Sequence, residues 1–288
     1  MFAPAFDYYR AGSAAEAGDL LRKHPGAKLL AGGHSLIPLL KLRLAAPGSL
    51  IDIGGIAELK GVTIANGVAR IGALTTHAEL AASSTARENC PALAEAANLV
   101  GDPAVRNRGT IGGNVAHADP ASDLPTVLAA LGARFIVQTP GGPEMFDAHA
   151  FFQGMMLTVL AEHDLLTAIE VPVRAAGQGQ AYVKFLHPAS RYAVIGVAAA
   201  LTVSGGTCTA AAVAIGGLTP RALRASSVER ALTGQTLSAE TLAQASARVA
   251  DDLGGEILGD LYASANYRKA VAPVWVKRAL QAAAGRAT

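Results

Sequence analysis

The sequence is poor in cysteine: Cys90 and Cys208 are its only thiols, and they lie far apart. An iron–sulfur cluster is held by about four thiolates. This chain therefore cannot carry one alone, and any one-electron metal centre in its chemistry belongs to a partner. Two unpaired cysteines fit a reducing cytosol, and a cytoplasmic location is the expectation. Charge is scarce as well. Charged residues make up 16% of the chain and the net charge is +2, too little to attract nucleic acid or an anionic membrane. Aromatics stand at 5%, so no partner surface stands out by composition. No uninterrupted apolar run reaches the roughly 18 residues of a spanning helix. The opening Met1-Phe2-Ala3-Pro4-Ala5-Phe6-Asp7 lacks a basic n-region and an apolar h-region, and no signal peptide is expected. His24, His77, His149, His163 and His187 have no metal-ligand spacing and are expected at the surface, and His117 is given no role. No metal site is expected, and no internal repeat is visible beyond an alanine-rich bias.

What is present points to a well-buried globular chain. Its 288 residues are 51% apolar, enough for two or three subdomains. Ser13 caps a helix over 14–23 with Glu16 in capping-box position, and Pro25-Gly26 breaks it. A short strand at 28–31, a helix at 36–41 and a strand at 50–53 then form a small β-α-β unit. Asn66-Gly67 turns a hairpin between 62–64 and 68–71. Helices are expected at 76–82, 91–100 and 121–131, a second hairpin around Pro140-Gly141-Gly142, and a strand at 165–173. Ala175 to Gln180 reads as a linker. Beyond it, strands at 181–186, 194–203 and 208–215, with a Gly205-Gly206 turn, precede helices at 238–252 and 266–284. Antiparallel strands followed by helices indicate an α+β layer.

Two glycine-rich turns carry the functional signal: Ala31-Gly32-Gly33-His34-Ser35 and Thr110-Ile111-Gly112-Gly113-Asn114. Glycine lets a ligand sit against the main chain, and both turns are expected to expose backbone N–H groups to a phosphate-rich ligand. Neither matches G-x-G-x-x-G or a P-loop. A tight turn without a ligand is the plain alternative for the first, a decorated surface loop for the second. Asp123, in Ala121-Ser122-Asp123-Leu124-Pro125, is either an acceptor for a sugar hydroxyl or a helix N-cap.

These motifs, with Leu36-Ile37-Pro38 after the first turn, Asp102-Pro103 and Arg106 before the second, and Tyr267-Arg268-Lys269 near the end, occur in one order and spacing. Over essentially its full length the chain resembles the FAD-binding medium subunits of molybdenum hydroxylases, the carbon monoxide dehydrogenase and xanthine dehydrogenase family. The resemblance implies an FAD-binding domain of the vanillyl-alcohol-oxidase (PCMH) type over 1–175, with a small β-α-β subdomain to about 56 and a larger mixed one over 57–175. It also implies a C-terminal flavoprotein domain over 180–288, built on a three-stranded antiparallel sheet with helices. FAD would be held by Leu30, Ala31, Gly32, Gly33, His34, Ser35, Leu36, Thr110, Ile111, Gly112, Gly113, Asn114, Asp123, Leu166, Lys184 and Tyr192. The two turns would hold the diphosphate, Tyr192 would cover the isoalloxazine, and Lys184 or backbone N–H groups would stabilise the reduced ring. No side chain is expected to be catalytic. The implied partners are an iron–sulfur small subunit and a molybdopterin large subunit in a heterotrimer, itself dimerised, with electrons passing from 2Fe-2S clusters to FAD and on to an external acceptor. A free-standing flavin oxidase, with His34 as a covalent anchor, is the alternative, and a nucleotide-binding assembly module a third reading. Substrate and terminal acceptor stay open.

Overall fold

The computed structural model describes residues 2–287, so the outermost residues of the expected domains, 1 and 288, lie outside it. The opening unit contains one more strand than the sequence suggests. Asp7–Arg10 joins Lys28–Leu30 and Ser49–Asp52 in a three-stranded parallel sheet with Ser49–Asp52 at its centre. Between the first two strands, the helix Ala14–Lys23 is capped by Ser13, whose side chain accepts from Glu16 N. Glu16 accepts from Gly12 N at 2.7 Å, so the expected capping box closes one residue early. The helix buries Ala17 and Leu21 in a core with Ile51, Ile53 and Ile56.

The next unit is a five-stranded antiparallel sheet in the order Val62–Ala65, Val68–Gly72, Leu165–Pro172, Arg134–Thr139, Gly142–Asp147. Both expected hairpins form. The first turns through Asn66 at φ 51° and Gly67 at φ 75°, the left-handed pair that a two-residue hairpin of this twist requires. The late strand Leu165–Pro172 slots between the two hairpins. Helices Pro91–Leu99, Ile111–His117 and Asp123–Ala130 pack on this sheet through Leu93, Ile111, Leu124 and Leu128, all fully buried.

The C-terminal sheet has four strands, not three: Gln178–Leu186, Ala193–Ser204, Thr207–Gly216 and the short Leu223–Arg224. The expected linker is shorter than it reads, because pairing with Thr202 already begins at Gln178. Ala193 to Leu201 is buried throughout, which explains its continuous apolar run: both faces of this central strand are covered. One face meets the helix Ala265–Ala284. From the other, Tyr182, Ala198, Ala200 and Ala214 join the core of the preceding unit. The helix expected over 238–252 breaks at Arg248 into Ala239–Ala247 and Val249–Asp252.

Candidate functional site

The two glycine turns meet in the wall of one cavity of about 780 Å³, within the range of about 300–1,000 Å³ typical of small-molecule and cofactor sites. Close packing around both turns depends on the missing side chains. A Cβ on Gly32 would stand 2.1 Å from the carbonyl oxygen of Arg108, and one on Gly112 would stand 2.5 Å from the Ala73 side chain. Gly33 has φ 77°, a left-handed conformation costing other residues about 1–2 kcal/mol.

The turns are chemically unequal. Among the described residues, the amides of Gly32, Gly33, His34 and Ser35 have no hydrogen-bond acceptor in the chain. The second turn was expected to expose its amides too, and it does not. Ile111 N donates to Thr75 O, Gly112 N to Ala73 O, Asn114 N to Thr110 O, and Gly113 N to Thr110 Oγ1 at 3.1 Å. The reason is local: Thr110 is the N-cap of the helix Ile111–His117, so the amides after it serve the cap and the neighbouring chain. The first turn supplies main-chain donors, and the second supplies a close-packed wall and the Thr110 hydroxyl.

Of the sixteen expected residues, Ala31, Gly32, Gly33, His34, Ser35, Leu36, Thr110, Gly112, Gly113, Asn114, Asp123, Leu166 and Tyr192 line the cavity. Leu30, Ile111 and Lys184 stand behind its wall. Ile111 is a fully buried core residue. Lys184, with a side chain only 3% exposed, donates from Nζ to Asp123 Oδ2 at 2.8 Å and to Leu99 O at 3.1 Å. Asp123 also accepts from the Tyr182 hydroxyl at 2.6 Å. Its carboxylate is therefore neither an N-cap, the position Ser122 takes, nor an unengaged acceptor. Burial pushes the Asp123 carboxyl above its ordinary range while the Lys184 ammonium opposes the shift. The Tyr182 phenol is raised well above its usual value by burial and by the Asp123 charge.

Tyr192 stands at the cavity wall, half exposed, its phenol raised by partial burial and by Asp119 and Asp123. Arg191 before it adopts φ 61° and donates Nε to Gly101 O at 2.7 Å, fixing the turn from across the cleft. A strained non-glycine residue of this kind persists where the surroundings over-determine it.

His77 corrects the expectation of a surface residue. It is 2% exposed, lines the cavity, and its Nδ1 has no partner among the described residues. Burial, with His34 and Arg106 nearby, lowers its pKa from 6.5 to about 4, so it is neutral at physiological pH. The signal in the sequence was the capping box Thr76-x-x-Glu79, which starts a helix and seats His77 in its first turn. Lys28, Asp164 and Arg191 also line the cavity and were not singled out by sequence. Among the described residues, no group of three or more His, Cys, Asp or Glu side chains is placed to hold a metal ion. No helix of the described residues is long and apolar enough to cross a membrane.

Comparison with known proteins bears on the same cavity. The family described as FAD binding domain in molybdopterin dehydrogenase matches residues 4–174, and the CO dehydrogenase flavoprotein C-terminal domain matches residues 180–283. The carbon monoxide dehydrogenase medium chain of Hydrogenophaga pseudoflava is 40% identical, covering 99% of each chain. The glyceraldehyde dehydrogenase medium chain of Sulfolobus acidocaldarius is 36% identical over 98% of this chain and 99% of its own. A solved chain of carbon monoxide dehydrogenase from H. pseudoflava, in a form lacking the Mo-pyranopterin moiety, superposes with a TM-score of 0.95 at 41% identity, covering all of both chains.

Proposed function

The chain belongs to the FAD-binding medium subunits of the molybdenum hydroxylases, and from that premise we propose that it takes electrons from 2Fe-2S clusters of a partner subunit and passes them through FAD to an external acceptor. It is an oxidoreductase subunit whose cofactor is FAD. In this reading the first domain has the vanillyl-alcohol-oxidase (PCMH) type of fold. The partners are an iron–sulfur small subunit and a molybdopterin large subunit, the heterotrimer is dimerised, and the assembly is cytoplasmic. Relatives of the same length are medium chains, which leaves the free-standing oxidase without a supporting observation.

The residues present fit the cofactor. Four consecutive free amides at Gly32, Gly33, His34 and Ser35 are the observation that carries the reading. A diphosphate is a dense array of acceptors, and backbone N–H groups answer it without a counter-charge. Bound FAD supplies the exchange between one-electron and two-electron carriers. The chain does the rest. The first turn donates to one side of the diphosphate, and the Thr110 hydroxyl, at the wall of the cavity, donates from the second turn. Tyr192 covers one face of the ring and excludes water. Lys184 holds the Asp123 carboxylate in place from behind the wall, where the sequence had suggested direct contact with the flavin. Leu30 and Ile111 back the two turns without touching the ligand. Leu166 adds an apolar surface.

The test is reconstitution. The complex stripped of flavin is expected to lose electron transfer to a tetrazolium acceptor and to regain it with FAD, at about one FAD per chain. The purified single chain is expected to oxidise no substrate. Turnover of carbon monoxide, an aldehyde or an N-heterocycle by this chain alone would contradict the reading.

A further inference from the structure

The inequality of the two turns leaves one side of the cradle short of donors. The first turn offers four free amides, whereas those of Ile111, Gly112, Gly113 and Asn114 are already engaged within the protein. On that side the Thr110 hydroxyl and the imidazole of His77 both line the cavity. The strand-like bridge between Thr76 and Thr110, and the bond from His77 N to Gly109 O at 3.0 Å, tie the His77 backbone to the second turn. Its ring packs so closely on Gly109 that a Cβ there would lie 3.0 Å from Cδ2 and 3.1 Å from Nε2. His77 thus lines the cavity beside the second turn while its Nδ1, buried behind the wall, has no partner among the described residues, an arrangement that costs about 1–3 kcal/mol.

We propose that His77 contacts the diphosphate of the bound nucleotide from the side of the second turn, and that it takes up a proton from solvent as the nucleotide binds. This rests on the FAD reading above. In the ligand-free chain nothing favours the charged ring: burial desolvates it, and the neighbouring His34 and Arg106 both oppose its protonation. The acidic and basic side chains of the elements packed around it have hydrogen-bond partners of their own. Glu79 closes the cap on Thr76, Arg87 donates to Ala81 O and Ala82 O, Arg106 itself donates to Val100 O and Gly101 O, and Glu95 bonds Tyr182 N and Arg286. Lys28, His117, Asp123, Asp164 and Arg191 line the same cavity. Two phosphate charges entering it reverse the local sign and favour the imidazolium.

FAD is titrated into the flavin-stripped complex by calorimetry at pH 5, 6 and 8, in buffers of differing ionisation enthalpy, to count protons. Binding is expected to take up about half a proton or more at pH 5 and close to none at pH 8, and to tighten on acidification by about tenfold for each unit by which the ligand raises the histidine pKa. His77→Gln and His77→Asn, made in parallel so that one poorly folding variant does not decide the matter, are expected to bind FAD about tenfold more weakly with the uptake abolished. His34→Gln is expected to keep the uptake. FAD binding by the wild type without proton uptake, or uptake lost in His34→Gln and kept in both His77 variants, would overturn the inference and leave the FAD reading standing. Absence of FAD binding altogether would overturn the FAD reading itself.

Discussion

At the scale of single residues, a Cβ on Gly32 would meet the Arg108 carbonyl and one on Gly112 the Ala73 side chain, so contact between chain segments already requires glycine at both positions. His77 was missed because a histidine without metal spacing reads as exposed, and only the fold places it in a wall with an orphan Nδ1. Its pKa of about 4 against 6.5 in the unfolded chain carries a definite sign. The folded state resists the proton, so the ligand-free chain is expected to keep full stability above about pH 6.5 and to lose up to about 3 kcal/mol as pH falls to 4. Urea melts of the flavin-stripped protein at several pH values measure this. His77→Gln should flatten that part of the profile, and an unchanged slope would argue against a buried neutral imidazole. Cys90, pushed up to about 12 by burial, is an inert core thiol at neutral pH.

Elements were largely legible, because hairpin turns and caps announce themselves locally. Asn66-Gly67, the 140–142 turn and the Ser13 cap are all where the residues put them. Elements that depend on distant partners were not legible. The edge strands Asp7–Arg10 and Leu223–Arg224 are short and irregular in pattern, and exist because Ser49–Asp52 and Thr207–Gly216 offer them an edge. The second glycine turn was read as a loop because Gly112-Gly113 disfavours helix by about 1 kcal/mol per glycine. Packing of Ile111 and Val115 in the core, with the Thr110 cap, overrides that. Gly32→Ala tests the contact between the turns. Its methyl would meet the Arg108 carbonyl, so the turns must part, with an expected loss of about 2 kcal/mol in stability and of most bound FAD. A variant that retains FAD at wild-type affinity would show that the apposition does not matter.

For the molecule as a whole, the informative place is the junction between the expected domains. The 175–180 segment reads as a linker, yet the chain re-enters a sheet at Gln178, and the two parts share a core through Tyr182, Ala198, Ala200 and Ala214. Polar contacts cross the same junction: Lys184 and Tyr182 reach the buried Asp123, and the partly exposed Arg286 reaches Glu95. Removing one member of a buried pair leaves an uncompensated charge, costing about 3–5 kcal/mol. Lys184→Met is expected to destabilise by about 3 kcal/mol, and increasingly as pH rises, because the Asp123 carboxyl, then raised further, favours the folded state only while protonated. Thermal melts at two pH values check both size and sign. The substrate is legible at neither level: relatives at 40% and 36% identity are named for carbon monoxide and glyceraldehyde.

The central claim concerns where the nucleotide's diphosphate lies, and a crystal structure of the FAD-loaded complex tests it most directly. The account predicts phosphate oxygens within about 3.2 Å of the amides of Gly32 to Ser35, with the second turn and His77 closing the other side. A diphosphate bound elsewhere, with those four amides facing only water, would contradict it.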